Sequence, residues 1–105
     1  MFSLIPWKLS YLDAFAQPIG ENALPNSLKY IEFGRKFNIP IGGNVLPHSL
    51  EFIRFGCEFN RPIGENILPN SLKNITFGYK FDQPICENVL PEYLETLSFG
   101  RYFNQ

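Results

Sequence analysis

Apolar residues recur in one fixed order along most of the chain. From residue 24 onward, copies of 22 residues carry Leu-Pro, then Leu, Ile, Phe-Gly, Phe and Pro-Ile at constant spacing. The last copy is partial, has Leu97 at the Ile position and lacks Pro-Ile. The in-phase apolar positions are Leu24, Leu46, Leu68 and Leu90; Leu28, Leu50, Leu72 and Leu94; Ile31, Ile53, Ile75 and Leu97; Phe33, Phe55, Phe77 and Phe99; and Phe37, Phe59, Phe81 and Phe103. No insertion or deletion interrupts this order, so the pattern predicts a repeat protein.

Each unit predicts one short strand followed by an extended return path. Ile31 and Phe33 alternate with polar neighbours at a period of two, which is typical of a strand with one buried face. Gly34 ends the strand, while Pro40 and Pro47 fix φ and lack an N–H, which disfavours a helix on the way back. A single turn cannot bury its own sides, so neighbouring turns must stack. We therefore predict a β-rich solenoid: a leucine-rich-repeat-like stack of 22-residue turns with one parallel sheet and an extended, Pro-rich back wall.

The repeats predict a single domain over residues 1–105. The repeat copies are 24–45, 46–67, 68–89 and the partial 90–105, preceded by a degenerate N-terminal cap repeat at 1–23. In that first copy, Leu9 and Tyr11 stand in the places of Ile31 and Phe33, as do Phe15 for Phe37 and Pro18-Ile19 for Pro40-Ile41. Pro6 and Trp7 are predicted to shield the N-terminal side of the stack.

Polar positions also keep the repeat phase. Charges alternate in sign between copies at two positions, which predicts ion pairs between stacked turns: Lys29, Glu51, Lys73 and Glu95, and Lys36, Glu58 and Lys80. Asparagine recurs at two corners, with aspartate in one copy: Asn38, Asn60, Asp82 and Asn104, and Asn22, Asn44, Asn66 and Asn88. We expect both corner sets to form ladders that bond the backbone of neighbouring turns rather than a polar ligand strip.

Composition narrows the kinds of partner. The formal charge is −1 with intermixed signs, so no basic face for nucleic acid is expected. No run approaches the roughly 18 apolar residues of a membrane span, and the N-terminus lacks the basic start of a signal peptide. Cys57 and Cys86 occupy different corners of the turn, so we expect free thiols and a cytoplasmic location.

The candidate chemistry is sparse. His48 is the only histidine and occupies a variable repeat position without an in-phase partner. The sequence contains no nucleophile–base pair, phosphate loop or acidic metal cluster at a recognised spacing. We therefore predict that the chain is not an enzyme and uses neither a metal nor another cofactor.

The unit resembles a known repeat family. Its opening, L-P-x-x-L-x-x-I-x-F, is similar to that of a leucine-rich repeat, and Phe37-Asn38-Ile39-Pro40 resembles the motif of the FNIP repeat family over residues 9–105. The resemblance implies a protein-interaction module of a kind common in amoebal proteins and in giant viruses that infect amoebae. In such proteins the repeats often follow an F-box, which implies a further alternative, the substrate-receptor part of a ubiquitin ligase. The residues ahead of Leu9 are too few for an F-box.

Residues predicted to point away from the core vary between copies and form the candidate binding face. The candidate partner-binding residues are Tyr30, Phe52, Glu32, Arg54, Arg35, Tyr79 and Arg101. Tyr and Arg are enriched at the energetic centres of protein interfaces, which favours a curved strand face that binds a protein partner of unknown identity. The alternative interpretation is an unconstrained surface on which Tyr30 stacks against Phe52 along the strands.

A second functional alternative is a structural or self-assembling solenoid. Leu97, Phe99 and Phe103 keep the repeat consensus at the C-terminal end, where solenoids usually carry an atypical polar cap. We therefore predict self-association through these residues, giving a homodimer. Tyr93, Glu95 and Tyr102 depart from the earlier copies, and the alternative is that they make this end polar enough for a monomer.

Overall fold

The described residues of the chain form one sheet of six short strands. The computed structural model describes the backbone of residues 2–5 and 8–11, together with residues 19–21 and 23–105. The strands, in chain order and also in their order across the sheet, are β1 (Phe2–Ile5), β2 (Lys8–Tyr11), β3 (Tyr30–Glu32), β4 (Phe52–Arg54), β5 (Asn74–Thr76) and β6 (Thr96–Ser98). Turns and irregular backbone link β3 to β6, and no helix occurs in these described ranges.

The strands from β2 to β6 pair in parallel with an offset of one repeat. Ile53 of β4 lies beside Ile31 of β3 and Ile75 of β5, and Ile75 lies beside Leu97 of β6. Leu9 of β2 pairs with Ile31, so the degenerate first copy joins the same ladder. The structure confirms the predicted solenoid of stacked turns with one parallel sheet.

The N-terminal end differs from the expectation. β1 pairs antiparallel with β2, placing Leu4 opposite Leu9, so a hairpin precedes the first repeat strand. Residues 2–5 have no counterpart in the repeat, which is why the 22-residue phase did not predict this strand. The expected shielding by Pro6 and Trp7 lies outside the described residues, as do the matches at Phe15 and Pro18.

Two columns of phenylalanine fill the interior. Phe55 stacks on Phe33 and Phe77 of the adjacent turns at ring-centroid distances of 5.3 and 5.1 Å, and on Phe59 of its own turn at 4.3 Å. Phe59 is fully buried, like the equivalent Phe37 and Phe81. Parallel rings thus transmit the repeat from turn to turn, and each turn buries the flat side of the next.

The glycine after each strand allows the close approach of neighbouring turns. A Cβ atom added to Gly78 would collide with the carbonyl group of Gly56, and one added to Gly100 would collide with that of Gly78. Gly56 meets the carbonyl of Gly34 in the same way. Backbone packed against backbone leaves no room for a side chain at this corner.

One of the two expected corner ladders is present. The backbone N–H of Asn60 donates to Oδ1 of Asn38 at 2.9 Å, that of Asp82 to Oδ1 of Asn60 at 2.9 Å, and that of Asn104 to Oδ1 of Asp82 at 3.0 Å. A second set of cross-turn bonds, absent from the sequence predictions, joins Ser49 Oγ to the carbonyl of Leu28 at 2.6 Å and Ser71 Oγ to that of Leu50 at 2.5 Å. These bonds satisfy backbone groups that the sheet leaves unpaired.

Among the described residues the other asparagine column, Asn44, Asn66 and Asn88, does not form a ladder, so the prediction was wrong for them. Asn44 and Asn66 are exposed and adopt φ of 62° and 64°, in the left-handed region that asparagine tolerates better than most residues. Their repeat position thus reflects a backbone conformation rather than a side-chain bond. Asn88 is also exposed, and Asn22 lies outside the described residues.

Of the ion pairs predicted between stacked turns, one is present among the described residues. Lys29 Nζ lies 3.3 Å from Glu51 Oε2, but Lys73 and Glu95 make no ion pair within the described part of the chain. Nor do the residues of the second column, Lys36, Glu58 and Lys80. Exposed charged side chains gain little from pairing in water and lose rotamer entropy, so charge alternation alone did not determine contacts.

Candidate functional site

The outer face of the sheet is set by the alternation within each three-residue strand. The central residues Ile31, Ile53 and Ile75 are buried, so the residues on either side of them point to the opposite face. From β3 to β6 one outer row contains Tyr30, Phe52, Asn74 and Thr96, and the other contains Glu32, Arg54, Thr76 and Ser98. Both rows lie where the sequence placed them.

Aromatic side chains occupy the β3–β4 part of this face. The rings of Tyr30 and Phe52 have centroids 6.2 Å apart and are tilted by 32°. They line a shallow depression of about 300 Å³ together with Arg54 and with the polar residues Asn74, Thr76 and Thr96 of β5 and β6. Apolar rings beside amide and hydroxyl groups offer both hydrophobic contact and hydrogen bonding.

A larger groove runs along the ends of the strands. Its volume is about 520 Å³, and its lining includes Glu32, Arg54, Arg35, Cys57 and Tyr79 beside the glycine corner. Arg54 Nε lies 3.8 Å from Glu32 Oε2, with 61% of the Arg54 side chain exposed. Because the guanidinium remains mostly in water, it is accessible to a carboxylate or carbonyl of a partner.

The seven predicted partner-binding residues fall into connected groups. Four of them line the groove, namely Glu32, Arg54, Arg35 and Tyr79, while Tyr30 and Phe52 line the depression. Arg54 lines both. Arg101 lines neither, although its Nη1 donates to the hydroxyl of Tyr79 at 3.5 Å.

Tyr102 extends the aromatic surface next to Tyr79 and was not among the predicted binding residues. The two rings have centroids 5.8 Å apart, and the side chains are 60% and 48% exposed respectively. Tyr102 occupies the position of Lys36, Glu58 and Lys80 in the earlier copies. Its departure from those charged residues was the sequence signal for an aromatic contact here.

The remaining reactive side chains do not cluster. Cys57 is half-buried in the groove and Cys86 is exposed, and both are free thiols. Within the described ranges no three His, Cys, Asp or Glu side chains come together as a metal would require. No helix there has the length and apolar character to cross a bilayer.

Asp82 is the one acidic member of the corner ladder. Hydrogen bonds from the Gln105 side chain and then from the Asn104 N–H lower the pKa of Asp82, partly opposed by desolvation. Since the folded-state pKa is below the unfolded-state pKa, the charged carboxylate stabilises the fold above the ordinary aspartate range. This stabilisation is lost as the pH falls through the lowered pKa.

Asp82→Asn should therefore reduce the loss of stability in acid. The side-chain oxygen of the new asparagine can still accept the ladder bond from the N–H of Asn104. We expect thermal melts from neutral pH down to about pH 3 to show a smaller decrease in Tm for this variant than for the wild type. The matched control is Glu87→Gln, which removes an exposed carboxylate outside the ladder. Identical acid profiles for wild type and Asp82→Asn would contradict the assigned role.

Comparison with known proteins agrees with the repeat unit and its stacking. The sequence profile described as FNIP Repeat matches residues 15–58 and 59–102. Among solved structures, the chain is similar to the crystal structure of CroV588, described as "a novel circular LRR protein structure", with 54% sequence identity and a TM-score of 0.89. The match covers 91% of this chain but only 14% of that one, so the chain spans a small part of that protein's length. No curated protein sequence matches the chain.

Proposed function

The chain belongs to the FNIP repeat family, and from this premise we propose that it is a protein-binding module whose outer strand face contacts a protein partner. Stacked repeats of the leucine-rich type generally serve protein–protein interaction, because their turns present an extended surface on a rigid core. The observation that carries the proposal is the contrast between the two faces of the strands. Inward positions repeat almost unchanged, whereas outward positions combine aromatic, cationic, anionic and hydroxyl side chains.

The geometry of the groove supports the same conclusion. Tyr79 and Arg54 line the same groove as Glu32 and Arg35. Tyrosine contributes large rigid contact area with a hydroxyl, and arginine contributes a planar donor, which is why both are frequent at the centres of interfaces. Because the backbone beneath them is fixed by the ladder, binding would require little ordering of the chain.

The proposed partner is a protein with acidic and apolar groups close together. A carboxylate would replace or share the exposed Glu32 contact to Arg54, and an apolar side chain would cover the Tyr30–Phe52 pair. A cytoplasmic location fits the two free thiols. The role of substrate receptor in an F-box-type ubiquitin ligase stays a prediction of the family resemblance.

Arg54→Glu should weaken partner binding while leaving the fold intact. Cross-linking and mass spectrometry in extracts of the native cell would supply candidates, and each purified candidate would then be titrated by calorimetry. For a genuine partner we expect the dissociation constant to rise about tenfold or more, as for other central arginines of interfaces. Arg54 lines both the groove and the depression, so reversing its charge changes both surfaces.

Arg61→Glu is the matched control, since it makes the same charge change at an exposed residue that lines neither the groove nor the depression. It removes one bond, from Arg61 Nε to the carbonyl of Asn38 at 3.0 Å. It should change the dissociation constant less than about twofold, because an exposed charge outside the interface contributes little. Thermal melting would show that both variants fold. Equal binding by the two variants would exclude the strand face as the binding surface.

A further inference from the structure

Another cavity lies at the Leu-Pro corner of the turns, ahead of the strands in the chain. This corner cavity has a volume of about 200 Å³, and its lining comes from three in-phase segments, within residues 44–48, 66–70 and 88–91. The middle segment, 66–70, has a turn on either side. The corner cavity shares no lining residue with the groove or the depression, so it is a separate site.

The floor of the corner cavity is aliphatic. Leu46, Leu68 and Pro69 line it and are buried, and Ile67 lines it and is half-buried. Leu46 and Leu68 also belong to the core of the stack, which holds the floor in place. These side chains offer a rigid surface of C–H groups without any hydrogen-bonding group.

The rim of the corner cavity is polar and carries no permanent charge. Asn44, Asn66, Asn70 and His48 line it and are exposed. Each asparagine amide carries an acceptor oxygen beside an NH₂ donor, and the histidine ring adds two nitrogens. Among the described residues that line the cavity, His48 is the only one that can ionise. The groove on the outer face differs, because charged residues of both signs line it.

The rim asparagines are not used by the fold. The side chains of Asn44, Asn66 and Asn70 make no hydrogen bond to the rest of the chain that the structure describes, unlike the ladder that starts at Asn38. Asn44 and Asn66 have φ of 62° and 64°, and glycine would adopt this conformation without strain. The backbone alone therefore does not require an amide side chain at these positions.

A neutral sugar ring matches the chemistry of this cavity. The C–H groups of the ring can pack on the aliphatic floor, while its hydroxyls, each both donor and acceptor, can bond to amides at the rim. A charged ligand would find no permanent opposite charge to offset its loss of hydration. The volume is below the roughly 300–1,000 Å³ of pockets for drug-sized ligands, which limits the ligand to about one ring.

The spacing of the turns disfavours an extended peptide as the ligand. Groups on one side of an extended chain recur about every 6.8 Å, whereas neighbouring strands lie only about 4.8 Å apart. Bonds from Ser49 to Leu28 and from Ser71 to Leu50 keep the turns in contact beside the cavity. A peptide running along the stack would lose register with the asparagines after one turn, but a single ring has no such repeat to match.

From these observations we propose that the corner cavity binds one neutral sugar ring. The face of the ring packs on Leu68 and Pro69, and its hydroxyls bond to the amides of Asn66 and Asn70 and to that of Asn44 on the neighbouring turn. This inference is independent of the proposed partner-binding role, which concerns the outer face of the sheet.

Two-dimensional ¹⁵N–¹H NMR of the wild type tests the site with glucose, galactose, mannose and N-acetylglucosamine as probes. With at least one of them we expect saturable shifts of the amide signals of residues 66–70. The dissociation constant should be about 1–10 mM, since a single ring in a half-open site makes few contacts. The methyl glycoside of the same sugar imitates a ring linked to a chain or a protein. Tighter binding of the glycoside would assign the site to linked sugars, and equal binding would assign it to free ones.

Asn70→Ala should raise the dissociation constant of the bound sugar about fivefold or more, because at least one hydrogen bond is lost. Asn66→Gly should do the same, since it removes a second amide while the left-handed φ stays accessible. Asn26→Ala is the matched control: Asn26 occupies the repeat position of Asn70 and is exposed but does not line the cavity. It should change the constant less than twofold, and melting curves would show that all three variants fold.

Three results would overturn the proposal. The first is the absence of shifts at residues 66–70 with all four sugars at concentrations well above the expected dissociation constant. The second is equal binding by the wild type, Asn70→Ala and Asn66→Gly, because the sugar then binds elsewhere. The third is a stronger shift of the same signals by a neutral, acetylated and amidated tripeptide of alanine, which would show that the cavity binds a peptide main chain instead.

Discussion

Phe55→Ala should lower the free energy of unfolding by about 3–5 kcal/mol, the cost of emptying a large buried site between two rigid neighbours. Phe55 is 3% exposed and stacks on Phe33, Phe59 and Phe77 at centroid distances of 4.3 to 5.3 Å. Because those rings are held by their own turns, they cannot collapse into the space. Denaturation by urea, followed by circular dichroism, measures the effect.

Phe99→Ala is the matched control at the end of the stack. Phe99 contacts Phe77, Phe81 and Phe103 and is 37% exposed. We expect a loss of roughly 1–2 kcal/mol, since a half-exposed ring has less transfer energy to lose. Equal losses for the two variants would contradict a stack stabilised by nearest neighbours.

Gly78→Ala should destabilise the chain by about 3 kcal/mol or more, although it adds a single methyl group. The new Cβ would collide with the carbonyl of Gly56, and backbone cannot move aside as a flexible side chain would. Two turns would have to separate at this corner, stretching the strand pairing between β4 and β5. The same denaturation measurement applies.

Gly64→Ala provides the control for the change in glycine itself. Nothing lies within 4 Å of a Cβ at Gly64, and its φ is not positive. This variant should be within about 1 kcal/mol of the wild type, and any change should be stabilising because the unfolded chain loses freedom. Similar losses for the two alanine variants would show that the close approach of turns at Gly78 is not what constrains the corner.

The parts of the fold that could be predicted are those repeated in phase. Ile31, Ile53 and Ile75 had to be neighbours because the same spacing of apolar residues recurs without interruption, and burial of each turn requires stacking. β1 could not be predicted, since residues 2–5 have no copy elsewhere. The alternating Lys and Glu positions correctly predicted which residues lie on neighbouring turns. They did not predict which of them form ion pairs, because water competes for exposed charges.

The candidate site was predictable in outline only. Alternation along the strands placed Tyr30, Phe52, Glu32 and Arg54 on one face, and the structure agrees. The groove at the glycine corner could not be predicted from the sequence. Its shape depends on the path of the backbone after each strand, which fixes the positions of Arg35 and Tyr79, and residue spacing alone does not give that path. Asn44 shows the same limit, since recurrence of a residue does not distinguish a side-chain bond from a backbone conformation.

The constant register has a consequence for how the chain folds. Cross-turn bonds such as Ser49 to Leu28 and Asn60 to Asn38 join residues 21 or 22 apart, and the strand partners keep an offset of 22 residues from β2 to β6. Closing each turn therefore costs the entropy of one loop of fixed length, however many turns follow. Folding can start at any pair of turns and extend by identical steps, so adding repeats would raise stability without introducing longer loop closures.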